Sequence, residues 1–455
     1  RLMLLLAVCL SGLSASAQMT FTYASGVTAT TESNPIDGST TVTVPAGTSF
    51  SGLITAVQID GTTVSASQIT PNPTTTLIEP GELEVFTYNN KAYGFRFVED
   101  VWFCAVFISD CHTGQGSGSD GTSVADLTSI TNNIIAMGQD GTRKVTFTGV
   151  DGLPSSYVPK TSIVFCTGDL DADKDDHSNF TSATADLYKA AGIPFIFIAG
   201  NHDFSPDYWT GSDPDKGVTY GSSGGHNADM NTLSVIKSNN SYWSSSYFDS
   251  DGALEYFTTG NSRTFEPQHF TFKYKGVRFY CANNYWFQKP HSAPGLLTSA
   301  TYYAPDPIIS KLETFVGNHT DEASVWMQHY SFNAGSDIKR WWLDQNDYGK
   351  YIKTTDSSAY GTDTDVELYS NTGGTATQYA NLKRDKLASI IEQTTNPVHF
   401  SGHYHRFDDQ TWTNNGHSTR DYTVAANGNT NQSNNAYVVL MKRGEGVKAV
   451  VQTQF

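Results

Sequence analysis

Residues 101–112, VWFCAVFISDCH, contain the pattern that decides the fold of this chain. Residues 101–108 are almost entirely apolar, which is typical of a short strand buried on both faces of an α/β sheet. The run leads into Asp110 and His112, which stand two positions apart. Because alternate residues of an extended chain share a face, we expect both polar side chains on one side of the strand end.

The same pattern occurs four more times along the chain. The further predicted strands are residues 162–166, 194–198, 324–327 and 397–400. The polar clusters that follow them are, in turn, Gly168-Asp169, Gly200-Asn201-His202-Asp203, Gln328-His329 and Gly402-His403-Tyr404-His405. Since ligands of α/β sheets usually bind at the carboxyl ends of the strands, we expect the five clusters to meet at one site.

Helical stretches separate these strands, which indicates an α/β class built from βαβ units. The predicted helices are residues 123–137, 182–190, 307–315 and 381–393, and two closing strands are predicted at 436–442 and 447–452. Ser123 and Asp126 stand three positions apart at the start of the first helix, in the spacing of a capping box.

Composition divides the chain into three parts. Residues 1–17 combine an apolar run with Ala-Ser-Ala, the parts of a secretory signal peptide, so we expect a secreted protein that is periplasmic or extracellular. Residues 18–97 are rich in Thr, Ser, Val and Gly, and this predicts a small all-β domain of open role. Residues 98–455 are the predicted catalytic domain, in which the Gly- and Ser-rich segment 204–300 is expected to be an insertion over the active-site face. No further stretch approaches the roughly 20 apolar residues of a membrane span.

The charge of the chain restricts its partners. Its 455 residues include 28 Lys and Arg against 45 Asp and Glu, a formal net charge of -17. A nucleic acid polymer is not expected as a partner, because polyanions bind to basic surfaces. A small phosphorylated substrate is compatible with this charge, since bound cations reverse the local potential inside a site. The oligomeric state is left open.

The five clusters carry the side chains of a transition-metal site. They combine aspartate, asparagine and histidine, a mixture of oxygen and nitrogen donors that suits Zn, Mn or Fe better than Ca or Mg. A carboxylate is able to bridge two such ions about 3.5–4 Å apart, and the pair then clamps both the attacking and the leaving oxygen of an in-line displacement.

Taken in order, the clusters resemble the pattern of the calcineurin-like metallophosphoesterase superfamily: D-x-H, G-D, G-N-H-[DE], H and G-H-x-H. The resemblance does not cover residues 18–97. It implies a four-layer α/β/β/α sandwich and two divalent or trivalent metal ions. It also implies the metal ligands, which are Asp110, His112, Asp169 and His405 for the first ion and Asp169, Asn201, His329 and His403 for the second.

The resemblance further implies a reaction in which a metal-bound hydroxide attacks phosphorus directly, without a covalent phosphoenzyme. His202 would contact the phosphoryl group and protonate or stabilise the leaving group. Asp203 would orient that imidazole, and neither residue would be a metal ligand.

The sequence leaves the substrate open between a phosphomonoester and a phosphodiester. The chain departs from purple acid phosphatases, which have Gly where His112 stands and a tyrosine ligand where Leu170-Asp171-Ala172 follows the second cluster. An acid-sphingomyelinase-like or nucleotide phosphodiesterase is the nearest alternative, since GNHDFSPDY at 200–208 resembles the sphingomyelinase group. A noncatalytic protein that binds glycans through residues 18–97 is the alternative from a different class.

Overall fold

The structure is a computed structural model, and it describes residues 18–33, 38–45, 48–79, 81–113, 121–139, 143–151, 153, 156–171, 177–200, 203, 225–244, 246–257, 269–281, 306–333, 376–427 and 435–455. The expected signal peptide, residues 1–17, lies outside this part of the chain. None of the helices within these ranges is both long and apolar enough to cross a lipid bilayer.

The described strands are β1 (Met19–Tyr23), β2 (Thr30–Ser33), β3 (Thr40–Val44), β4 (Ile54–Ile59), β5 (Thr62–Val64), β6 (Leu83–Tyr88), β7 (Lys91–Glu99), β8 (Trp102–Ile108), β9 (Phe147–Thr148), β10 (Ser156–Tyr157), β11 (Thr161–Cys166), β12 (Phe195–Phe197), β13 (Glu255–Tyr256), β14 (Phe270–Tyr274), β15 (Val277–Cys281), β16 (Ala323–Met327), β17 (Thr395–Ser401), β18 (Asp408–Asn414), β19 (His417–Thr423), β20 (Ala436–Lys442) and β21 (Gly446–Thr453). The described α-helices are α1 (Val124–Ala136), α2 (Ser178–Ala183), α3 (Ala185–Ala191), α4 (Gly225–Ser244), α5 (Asp306–Gly317) and α6 (Ala376–Ile391).

The first of two compact units comprises Arg1–Phe103 and Ala136–Lys160 and is rich in strands. Its sheets have the strand orders β1-β4-β5, β2-β3-β7-β6 and β10-β9. β3, with the sequence TTVTV, buries its valines and leaves its threonines partly exposed, as the alternating pattern predicts. Phe21 of β1 packs against Phe95 of β7 with ring centroids 4.5 Å apart, so the two larger sheets share one apolar core.

The second unit comprises Cys104–Ile135 and Thr161–Phe455 and contains two larger sheets. Their strand orders are β12-β11-β8-β20-β21 and β13-β14-β15-β16-β17-β19-β18. β8, β11 and β12 run parallel in the first, and β15, β16, β17 and β19 run parallel in the second. The carboxyl ends of the parallel strands therefore lie at one edge of each sheet, and the fold is α/β as the sequence predicts.

Phenylalanine rings join these two sheets. Phe107 of β8 stacks on Phe165 of β11 with centroids 4.8 Å apart, and on Phe400 of β17 at 3.8 Å. Phe165 stacks in turn on Phe279 of β15 at 4.9 Å. All four rings are fully buried. Burial of such large apolar surfaces is a main source of stability for a sheet-on-sheet core.

The predicted strands and helices of this unit are confirmed to within a few residues, except that the predicted helix 182–190 is the pair α2 and α3. The capping box at the start of α1 is also present. Ser123 Oγ accepts a hydrogen bond from the Asp126 amide at 3.1 Å and donates one to the Asp126 carboxylate at 2.6 Å. Helices pack on the sheets, α4 against β12 and α6 against β19. The expected order of four layers stays a prediction.

The insertion expected at 204–300 stays a prediction, but part of this range belongs to a sheet. β14 and β15 form an antiparallel hairpin, and β15 pairs in parallel with β16, so this hairpin belongs to the seven-stranded sheet. Lys275 and Gly276 form its two-residue loop, both at positive φ, which is the geometry that suits the twist of a hairpin. The surrounding polar composition hides this alternating segment in the sequence.

Replacing Phe107 by Ala is expected to lower the free energy of unfolding by about 3–5 kcal/mol, because the ring is fully buried between both sheets. Urea denaturation followed by circular dichroism measures this loss. Tyr242→Ala is the control, since that ring is 51% exposed and should cost about 1 kcal/mol or less. Equal losses for the two variants would contradict the assignment of Phe107 to the joint between the sheets.

Candidate metal centre

The turns that follow β8 and β11 are joined by backbone hydrogen bonds. The Asp110 amide donates to the Gly168 carbonyl at 3.0 Å, and the His112 amide donates to the Asp169 carbonyl at 3.0 Å. These bonds continue the parallel pairing of the two strands beyond their ends. They place the first two polar clusters of the sequence side by side at the carboxyl edge of the five-stranded sheet.

One group of possible metal ligands forms at this edge. It consists of Asp110, His112, Asp169 and His405, each of which offers one ligand atom within 4.8 Å of the others. His112 Nε2 lies 3.6 Å from Asp169 Oδ2, and His405 Nε2 lies 3.3 Å from Asp110 Oδ1. Ligand atoms around one ion at about 2.1 Å are separated by up to about 4.2 Å, so this spacing is close to that of a coordination sphere.

A second group adjoins the first. It consists of Asp169, His329 and His403, whose ligand atoms also lie within 4.8 Å of one another. His329 Nε2 is 3.2 Å from Asp169 Oδ2. His329 follows β16 and His403 follows β17, so the seven-stranded sheet supplies both imidazoles. Asp169 is common to the two groups, and a shared carboxylate is the ligand type that bridges two ions.

Asn201 and His202 lie outside the described residues, so their expected roles stay predictions. Asp203 is described and fully buried. Its carboxylate accepts the Gly200 amide at 2.6 Å and the Leu170 amide at 2.8 Å. It therefore joins Gly200, which follows β12, to Leu170, which follows β11, a contact that the sequence did not reveal. Its expected contact with His202 stays a prediction.

Five of the expected ligands have left-handed backbone conformations. The φ angles are 47° for Asp110, 40° for His112, 54° for Asp169, 66° for His403 and 52° for His405. A residue with a β-carbon pays roughly 1–2 kcal/mol for this conformation. Such strain persists where the surrounding structure fixes the chain and is concentrated at functional sites. These turns aim the side chains that follow each strand back toward a common point.

Hydroxyl groups and close-packed glycines hold Asp110 in place. Ser109 Oγ donates to Asp110 Oδ2 at 2.5 Å, and Thr167 Oγ1 donates to Ser109 Oγ at 2.6 Å. The His403 amide donates to the same carboxylate at 2.9 Å. A β-carbon on Gly402 would collide with Ser109 Oγ, so only glycine permits this approach.

The electrostatics of the site suit a cation. Burial would raise the pKa of Asp110, but its hydrogen bond with His405 and the charge of His329 hold that pKa below its usual value. Burial alone would lower the pKa of His329, yet the adjacent Asp169 raises it to about 9. His329 Nδ1 lies 2.8 Å from the Thr167 carbonyl, which makes Nδ1 the donor and leaves Nε2 facing Asp169.

In two further groups, His403 and Asp203, burial has the larger effect on the pKa. Burial, with the positive charge of His329, lowers the pKa of His403 to about 3, so its imidazole is neutral and able to bind a metal. Burial and the negative charge of Asp169 raise the pKa of Asp203 to about 8, against the effect of its two amide donors. The donor set thus fits a metal centre in both composition and spacing.

Two histidines outside the ligand groups have partners elsewhere. His319 Nδ1 lies 2.7 Å from the Phe315 carbonyl at the end of α5. His399 Nδ1 lies 2.8 Å from Asp421 Oδ1. Sequence reasoning missed Ser109, Thr167 and Asp421. The available signals were polar residues next to a cluster and, for Asp421, an acidic residue at an inward position of a strand.

Comparisons with known proteins bear on the family of this chain. The family model described as calcineurin-like phosphoesterase matches residues 105–297, the part that contains Asp110, His112 and Asp169. No curated protein shows significant similarity to the chain. One similar solved structure is that of GAP50, described as the anchor in the inner membrane complex of Plasmodium. It has 9% sequence identity and a TM-score of 0.32 and covers 78% of this chain and 89% of its own, a likeness too low to carry an argument.

The strain at His405 predicts that the difference in stability between a Gly and an Ala variant has opposite signs at His405 and at His399. At His405, with φ of 52°, the Gly variant should be more stable than the Ala variant by about 1 kcal/mol, because glycine adopts this conformation freely. At His399, inside β17, the Gly variant should be less stable than the Ala variant by about 0.5–1 kcal/mol. Denaturation of the metal-free variants measures both differences, and the same sign at both positions would contradict the strain.

The raised pKa of His329 predicts a pH-dependent metal affinity. At neutral pH the metal-free imidazole holds a proton that an ion at Nε2 must displace. The affinity for Mn²⁺ is therefore expected to rise between about pH 7 and 9, by up to about tenfold per unit from this proton. Isothermal titration in buffers of different ionisation enthalpy counts the protons released. His329→Gln should release one proton fewer, and an unchanged count would refute this assignment.

Proposed function

We propose that this chain, which belongs to the calcineurin-like phosphoesterase superfamily, is a hydrolase that uses two metal ions to cleave phosphoester bonds. The observation that supports this proposal is the shared position of Asp169 in two adjoining groups of aspartate and histidine ligands. Bound there, two cations would acidify water and offset the negative charge of a phosphoryl group.

The residues divide into an ion-holding set and a proton-handling set. Asp110, His112 and His405 would complete the first position around Asp169, and His329, His403 and Asn201 the second. His202 would donate a proton to, or stabilise, the leaving oxygen. Asp203 would orient that imidazole, and its carboxylate accepts the amide of Gly200.

The proposed substrate is small and phosphorylated. The net charge of -17 disfavours long polyanions, whereas the metal centre supplies local positive charge. Zn, Mn and Fe suit the mixed donors of the site. Residues 1–17 support export through a signal peptide, and N-terminal sequencing of the protein recovered from outside the cell tests cleavage after Ala17.

Metal analysis combined with turnover of two chromogenic substrates, 4-nitrophenyl phosphate and bis(4-nitrophenyl) phosphate, tests the proposal. Wild-type protein should contain two ions and release nitrophenol, and the ratio of the two rates separates a monoesterase from a diesterase. A protein that binds two ions but hydrolyses neither ester, while residues 18–97 bind a glycan, would favour the noncatalytic alternative.

Two variants separate the proposed roles. Asp169→Asn should lose metal and activity together, because both groups use this carboxylate. His202→Ala should keep both ions and lower kcat by about 10²–10⁴-fold, the usual effect of removing a general acid. Both are measured by metal analysis and steady-state kinetics on the same preparations. Loss of ions from the His202 variant would contradict the division of roles.

A further inference from the structure

A buried carboxylate that belongs to neither ligand group lies behind the metal centre. Asp421, on β19, has no exposed surface and accepts four hydrogen bonds. Its Oδ1 accepts from Ser401 Oγ at 3.0 Å and lies 2.8 Å from His399 Nδ1. Its Oδ2 accepts from Ser331 Oγ at 2.6 Å and from the Phe332 amide at 2.8 Å. Four donors converge on one side chain.

The donors stand close in the chain to two expected ligands: Ser331 and Phe332 lie in the loop after β16, and His399 and Ser401 lie in β17, which leads into His403. Ser331 stands two positions after His329, and Ser401 stands two positions before His403. The loops are also joined to each other, because the Gly402 amide donates to the His329 carbonyl at 2.9 Å. Oδ2 of Asp421 therefore binds the loop after β16, Oδ1 binds the end of β17, and the carboxylate fixes the separation between these two segments.

The charge of Asp421 strengthens these bonds. Burial would raise its pKa, but the facing His399 and the hydroxyl donors bring that pKa below its usual value. Hydrogen bonds to an ionised group contribute roughly twice as much as bonds between neutral groups. A neutral amide at this position would present an NH₂ group toward one pair of donors, so either the loop after β16 or the end of β17 would lose its acceptor.

We infer that Asp421 is a positioning residue that holds His329 and His403 at the spacing required by the second metal ion. It acts through Ser331 and Ser401 rather than by touching an ion or a substrate. This inference rests on the proposed two-metal function. A merely structural role for the same network would change the stability of the fold but would not distinguish between the two ions.

The test is Asp421→Asn in the full chain, stripped of metal and titrated with Mn²⁺. Wild-type protein should bind two ions and show the electron paramagnetic resonance signature of a coupled pair. The variant should keep the affinity of the ion at Asp110, His112 and His405, whereas the affinity of the second ion should fall by about 10–100-fold, as is usual when a group supporting a ligand is lost. At Mn²⁺ concentrations that fill both positions of the wild-type protein but only the first position of the variant, the coupled signal of the variant should be absent.

Asp385→Asn is the matched control. Asp385 is also buried in the same unit and accepts hydrogen bonds from the Asn414 and Asn415 side chains, at 2.7 and 2.6 Å. None of these partners lies in a loop that carries a ligand. This control should lower the stability of the fold without changing the ratio of the affinities for the first and second Mn²⁺ ions. A change in that ratio for Asp421→Asn therefore reports positioning rather than general destabilisation.

The outcomes separate the two claims. If wild-type protein binds fewer than two ions, the proposed two-metal function fails. If wild type binds two and Asp421→Asn binds both with unchanged affinities, or weakens both equally, the positioning role is refuted while the two-metal proposal stands. If Asp421→Asn does not fold, the Mn²⁺ titration is made with Ser331→Ala and Ser401→Ala, since each removes one hydrogen bond to Asp421. Selective weakening of the second ion supports the inference, and two unchanged affinities overturn it.

Discussion

Two buried carboxylates at neighbouring strand ends are the constraint on which this structure depends. Asp110 and Asp169 are both fully buried, and the negative charge of Asp169 acts to raise the pKa of Asp110. Buried like charges are costly unless positive charge or hydrogen-bond donors surround them. The imidazoles of His329 and His405 supply positive charge. The amide of His403 and the hydroxyl of Ser109 supply hydrogen-bond donors. The loops after β8, β11, β16 and β17 all serve this requirement.

The scaffold must be rigid because the ligand turns are not relaxed. The left-handed conformations of residues such as His112 and His405 would return to commoner values if the strand ends were free to move. The stack of Phe107, Phe165 and Phe400 joins the sheets directly beneath the turns that follow β8, β11 and β17. Core packing and site geometry are thus linked, since a strand that shifted by one residue would reverse the faces of its side chains.

Much of the site was predictable because its ligands follow apolar strands in a recognisable order, as Asp110 follows β8 and His403 follows β17. The hairpin of β14 and β15 was missed, since a short alternating segment inside a polar region is easily read as a loop. The role of Asp421 was not predictable, because its donors are 20 and 90 positions away along the chain. Long-range hydrogen bonds of this kind depend on strand order, which local patterns do not encode.

One hydrogen bond also bears on how the chain is made. The His403 amide and the Asp110 carboxylate are 293 positions apart. At about 5–20 residues per second, a ribosome needs roughly 15–60 s to add the residues between them. During that interval the nascent chain already contains Asp110 but lacks the donor that helps to stabilise its charge. The complete centre therefore cannot assemble before residue 403 has been added.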